Sequence, residues 1–106
     1  MNEWKKNLVD VSRELLFSVK GESTRKRLVV RVQGPFLLKK NDVGFDYDEG
    51  TCVCKIVFEG LEEPDVEVFG MDGLQALRLA TDVDPYLRGL SNMYDFFWTN
   101  GESYFE

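Results

Sequence analysis

Histidine is absent from this 106-residue sequence, which removes the commonest general base and the commonest metal ligand together. Neither a Ser-His-Asp nor a Cys-His nucleophile can be assembled. Two cysteines are too few for a zinc site, which ordinarily takes four Cys or His ligands, unless carboxylates or a partner complete it. Acid–base catalysis would rest on Asp, Glu, Lys or Tyr. No apolar run reaches the length of a membrane span, and Met1 to Lys6 lead into Asp10 and Arg13 rather than into a signal-like apolar stretch. The expectation is a cytoplasmic protein with reduced thiols, no cofactor, no metal and no membrane contact.

What is present suits one α+β domain over residues 1–106. A 43% hydrophobic and 13% aromatic content argues against disorder, and the length lies near the lower limit at which one core suffices without disulfides or metals. The net charge of −6 conceals a split: residues 1–40 hold ten Lys/Arg against four Asp/Glu, and residues 41–106 hold three against fifteen. Attraction between the two halves across the folded domain is one consequence. The other is an acidic face for a basic protein partner.

Alternation of apolar residues predicts a strand over about 11–20, although Trp4, Leu8, Val11 and Leu15 also stand at helical spacing, so that residues 3–15 read as an amphipathic helix as well. A turn at Gly21 to Thr24 and a second alternating run from Arg25 to Gln33 favour a hairpin. Gly34-Pro35 is expected to end that run. Residues 36–50 are too polar for a core element. Thr51 to Glu59 is the clearest strand, with Cys52, Cys54, Ile56 and Phe58 on one face, and Asp65 to Phe69 is a short fourth.

The stretch from Val68 to Ala80 then writes a strand end, a turn and a helix start. Asp72 stands at the N-cap with Gln75 three residues on, a capping box in which the carboxylate takes the N–H near Gln75 and the Gln75 side chain returns to the N–H of Asp72. Met71 and Ala76 are placed for a hydrophobic staple. The helix is expected to run from about Gly73 to Val83, pressing Leu74, Leu77, Ala80 and Val83 on the sheet. Asp84-Pro85 suggests a capped separate turn stopped by Gly89, and Asn100-Gly101 a hairpin among the C-terminal aromatics.

The candidate sites are modest. Cys52 and Cys54, two apart on a strand, read as buried small hydrophobes rather than a redox pair. Asp42, Asp46, Asp48 and Glu49 with Gly50 resemble a calcium loop superficially but lack its fixed ligand offsets and flanking helices, and a solvated loop facing the basic strands is expected. Arg25, Lys26 and Arg27 with Arg31, Lys39 and Lys40 form the one basic cluster. Without a recognition motif in an acidic chain, it reads as a guarded sheet edge and not as a nucleic-acid site. Tyr94, Phe96, Phe97, Trp98, Tyr104 and Phe105 close the core or form an aromatic binding patch.

The segment Gly70-Met71-Asp72-Gly73-Leu74-Gln75-Ala76-Leu77-Arg78-Leu79-Ala80, after a basic hairpin ending in Gly34-Pro35, resembles a family of small, functionally uncharacterised bacterial domains. The likeness covers residues 12–98, and Gly73 stands where the family more often has a small polar residue. The resemblance implies an α+β fold in a bacterial cytoplasmic protein and carries over no catalytic residues. Some small acidic bacterial proteins of this type serve as immunity proteins against toxins, an analogy of type only.

These readings converge on an antiparallel sheet of four to five strands with one main C-terminal helix packed on one face. The leading functional expectation is a non-enzymatic binding protein, immunity- or antitoxin-like, meeting a basic partner through Asp46, Asp48, Glu49, Glu62 and Glu63. The alternatives are a small-ligand binder or enzyme using carboxylates and tyrosines in a sheet–helix cleft, and a self-associating structural protein using an edge strand or the aromatic tail.

Overall fold

In the computed structural model, which describes residues 8–39 and 42–105, five antiparallel strands and two short helices form an α+β fold. Strands β1 (Val9–Val19) and β2 (Lys26–Leu37) pair in register Leu15↔Leu28 and Val11↔Val32, with Gly21 at φ 86° in the turn between them. Residues 9–15, also at helical spacing, are therefore strand. Residues 3–7 of that reading lie outside the described residues. Strands β3 (Cys52–Glu59) and β4 (Val66–Gly70) extend the sheet, and β5 (Tyr94–Phe97) returns to pair with β1, giving the order β4-β3-β2-β1-β5.

Gly34-Pro35 does not end β2. Gln33 pairs with Lys55 and Phe36 with Val53, so Gly34 and Pro35 together oppose Cys54 alone. This is a bulge, and it gives proline a place in the ladder that needs no N–H donor. Gly34 has φ 131°, and a Cβ there would lie 3.1 Å from the Val53 carbonyl and 3.2 Å from Cys54 Sγ. The bulge also shifts the alternation by one residue: Leu28, Val30 and Val32 precede it on the buried face, and beyond it Leu37 pairs with Cys52 at the exposed end of the strand while Leu38 is buried.

Helix α1 (Gly73–Thr81) opens as the capping motif requires, with the Gln75 N–H donating to Asp72 Oδ1 at 2.8 Å. The return bond is displaced by one residue, because Gln75 Oε1 accepts from the Met71 N–H at 2.7 Å rather than from Asp72. No staple forms, since Met71 is 69% exposed. Asp72→Ala should lower stability by about 1 kcal/mol and Gln75→Ala by less, read as shifts in the denaturation midpoint at constant slope. Wild-type stability in both would contradict this account of the helix start.

The inward stripe of α1 runs through Ala76, Leu77 and Ala80, and Leu74, expected on the sheet, is 80% exposed. The reason is close approach. A Cβ on Gly70 would lie 2.2 Å from the Ala76 backbone nitrogen, and one on Gly73 would lie 2.9 Å from Pro35 Cγ, so the helix rests on glycines and turns its alanines inward. A single main helix is also not what forms. The chain breaks at Asp82 and buried Val83, and a second helix, α2 (Asp84–Leu90), buries Leu87 completely. Asp84 does not cap it, and Gly89 lies inside it.

The core lies between the helices and one sheet face, where Leu15, Phe17, Leu28, Val30, Ile56, Phe58, Val68, Leu87 and Phe96 meet. The opposite face carries cross-strand ion pairs, Arg27–Glu14 and Arg31–Glu59 at 2.7 Å and Arg31–Asp10 at 3.4 Å. Pairing with Glu59 and then Asp10 raises the already high pKa of Arg31. No helix among the described residues is long and apolar enough to cross a membrane.

Candidate functional site

The five carboxylates expected to meet a partner form two groups. Asp46, Asp48 and Glu49 lie in the loop before β3, and Glu62 and Glu63 lie in the turn after it. An eight-residue strand separates them by roughly 26 Å at about 3.3 Å per residue. The loop is held by Lys39 and Thr51, whose backbone N–H groups donate to Asp42 Oδ2 at 2.7 Å and to the Asp48 carbonyl at 3.1 Å. Phe45 packs edge-on against Phe69, ring centroids 5.5 Å apart, which anchors the loop to β4 rather than to the basic hairpin it was expected to face. Asp46, Asp48, Glu49 and Glu62 are exposed and, among the described residues, carry no ion pair or side-chain hydrogen bond. Glu63 differs, being half-buried and accepting from the Tyr94 hydroxyl at 3.1 Å.

Arg13, which interrupts the alternation of β1, belongs to a cluster that local sequence reading does not assemble. Its Nη1 donates to the Tyr104 hydroxyl, which in turn donates to Asp84 Oδ1, and Arg13 and Asp84 approach to 3.9 Å. The guanidinium stands 5.5 Å from the Trp98 ring centroid and 5.9 Å from that of Tyr104. Asp84 is thus drawn to the C-terminal segment, and it lies inside α2, whose N-cap position is held by Val83 with no side chain able to cap. A three-residue loop through Gly101 (φ 93°) delivers Tyr104, with the Gly101 N–H on the Trp98 carbonyl and the Trp98 N–H on Glu102. Phe96 is buried, and Tyr94, Tyr104 and Phe105 pack against the core, so most of the tail aromatics close it while Trp98 stays 40% exposed.

Burial first, and then the hydrogen bonds to Asp84 and Glu63, raise the pKa of Tyr104 and Tyr94 above the ordinary phenol value, although Arg13 opposes the shift at Tyr104. Both phenols are therefore protonated at neutral pH and act as donors, not bases.

Cys52 and Cys54 are free and buried, on the same face as Ile56. Burial raises both thiol pKa values, assisted by Asp72 at Cys52 and by Cys52 at Cys54. Thiol reagents at pH 8 should consequently label both much more slowly in the native than in the denatured protein. Rapid native labelling of both would contradict the packing described. No group of three or more His, Cys, Asp or Glu is gathered as a metal cluster among the described residues.

Comparison of the chain with protein-family models, with curated proteins and with solved structures found no match.

Proposed function

We propose that the chain is a non-enzymatic binding protein that docks a basic protein partner through the carboxylates at the two ends of β3, in the manner of an acidic immunity or antitoxin-like protein of the bacterial cytoplasm. Unequal neutralisation is the observation that supports it. Arg13, Lys20, Arg27 and Arg31 are each ion-paired within the fold, to Asp84, Asp95, Glu14, and Asp10 with Glu59. Among the described residues, Asp46, Asp48, Glu49 and Glu62 have no such partner. These pairs engage four of the ten Lys/Arg of the first forty residues, while the loop and turn stay acidic, which is the arrangement that accelerates encounter with a cation-rich surface.

Affinity capture from the source cell at low salt tests this, using the wild type, the triple reversal Asp46→Lys, Asp48→Lys and Glu49→Lys, and Glu62→Lys separately. A basic protein should be enriched by the wild type and lost in at least one variant. If nothing is enriched, or if the enriched protein is indifferent to every reversal, the reading fails. A second reading, a small-ligand site, draws on the Arg13–Tyr104–Asp84 cluster beside a groove of about 200 Å³ lined by Val11, Val30, Val32 and Val83. A protonated Tyr104 fits ligand binding there better than proton abstraction.

A further inference from the structure

The outer edge of β1 is only partly covered. β2 pairs with Val9 through Phe17 on one side, whereas β5 pairs only with Leu16 through Val19 on the other, so among the described residues no strand lies beside Val9–Leu15. The Lys20 N–H donates to the Met93 carbonyl toward β5, and the Val19 carbonyl accepts from Glu22 on the hairpin side. Strand alternation therefore turns the N–H and C=O groups of Asp10, Ser12 and Glu14 out to solvent. The β1–β2 register is unbroken there, no proline interrupts it, and residues 10–14 are all exposed. Such an edge is a template for another strand.

We propose that this edge is a strand-addition site for an extended segment of a partner protein in which an apolar residue is flanked by basic ones. A strand laid beside β1 sends alternate side chains to the two sheet faces. On the helix side, the residue opposite Val11 meets the groove of about 200 Å³ walled by Val11, Val30, Val32, Thr81 and Val83, which has space for a branched aliphatic side chain. Val11 itself is 49% exposed, and Arg13, held by Tyr104 and Asp84, also lines the groove. On the other side, Asp10 and Glu14 flank Ser12, and their side chains remain 52% and 53% accessible despite their pairs with Arg31 and Arg27. Cations opposite them are favoured and anions are not. A second copy of the chain fits poorly, because two-fold pairing centred on Ser12 would set each Asp10 against the other copy's Glu14. The site is distinct from the carboxylates around β3, and neither proposal depends on the other.

The test uses the full-length chain, a hexapeptide alternating lysine and valine, its glutamate–valine counterpart, and the lysine peptide N-methylated at alternate positions. NMR titration should move the amide signals of Asp10, Ser12 and Glu14 with the lysine peptide and protect them from hydrogen exchange. Affinity should fall at least tenfold for the glutamate peptide and be lost on N-methylation of the edge that faces β1. Ser12→Pro removes one outward N–H without touching the β1–β2 ladder and should weaken binding at least tenfold. Val11→Glu, which blocks the groove, makes the same prediction should the proline variant fail to fold. The reversals at Asp46, Asp48, Glu49 and Glu62 should leave peptide affinity unchanged. Unmoved β1 amides, equal affinity for the two charge types, or indifference to N-methylation would overturn the proposal. So would amides already protected without peptide, whether released on dilution of a dimer seen by sedimentation or on truncation of residues 1–7.

Discussion

Gly70→Ala should destabilise the domain by about 3 kcal/mol or more, at the upper end of what overpacking costs. The added Cβ would fall 2.2 Å from the Ala76 nitrogen, 2.7 Å from the Ala76 Cα and 2.9 Å from the Gln75 carbonyl carbon, all of them helix backbone. No rotamer change relieves such contacts. Either α1 lifts from β4, opening the layer that buries Ala76 and Ala80, or β4 shifts on β3 and disturbs Cys52 and Cys54, which pair with Gly70 and Val68. A domain of this size has roughly 5–15 kcal/mol of total stability, so the denaturation midpoint should move far. A midpoint near that of the wild type would mean that the helix does not rest on the strand as described.

Gly60→Ala should cost about 3–4 kcal/mol, because two penalties coincide. Gly60 has φ 108°, a region L side chains rarely adopt, and its Cβ would stand 2.4 Å from the Arg27 carbonyl oxygen. The residue carries β3 into the turn that seats Leu61 in the core, with the Leu61 N–H on the Phe58 carbonyl at 3.3 Å. Gly21→Ala is the informative control. Gly21 shares a positive φ of 86° but has open space around its Cβ, so it should lose only the conformational part, about 1 kcal/mol. Equal losses at both positions would show that crowding against Arg27 contributes nothing.

These glycines explain where sequence reading succeeds and where it stops. The strand Cys52–Glu59 and the cap at Asp72 are legible because they depend on neighbours within a few residues, namely side-chain alternation and one carboxylate three positions before its donor. Leu74 is misread because helical spacing cannot say which stripe faces inward when the decision belongs to Gly70 and Pro35, in other elements. Gly34-Pro35 looks like a strand end because the bulge that accommodates it exists only once β3 is paired alongside. Asp84 has the right spacing for a cap, yet its carboxylate is taken by Tyr104 and Arg13 from remote parts of the chain. The exposure of Asp46, Asp48, Glu49 and Glu62 follows from composition alone, whereas their division between the ends of β3 and the attachment of Phe45 to Phe69 are consequences of pairing and packing.

The charge-led account is tested most directly by the association rate of the captured partner as a function of ionic strength, measured for the wild type and for each set of reversals. Screening shortens to about 8 Å at physiological salt, so the wild-type on-rate should fall steeply as salt rises while the off-rate changes little. Reversal at the end of β3 that faces the partner should lower the low-salt on-rate and flatten its salt dependence, and reversal at the other end should do neither. An on-rate independent of salt, or equally steep in every variant, would contradict the assignment of these carboxylates to partner capture.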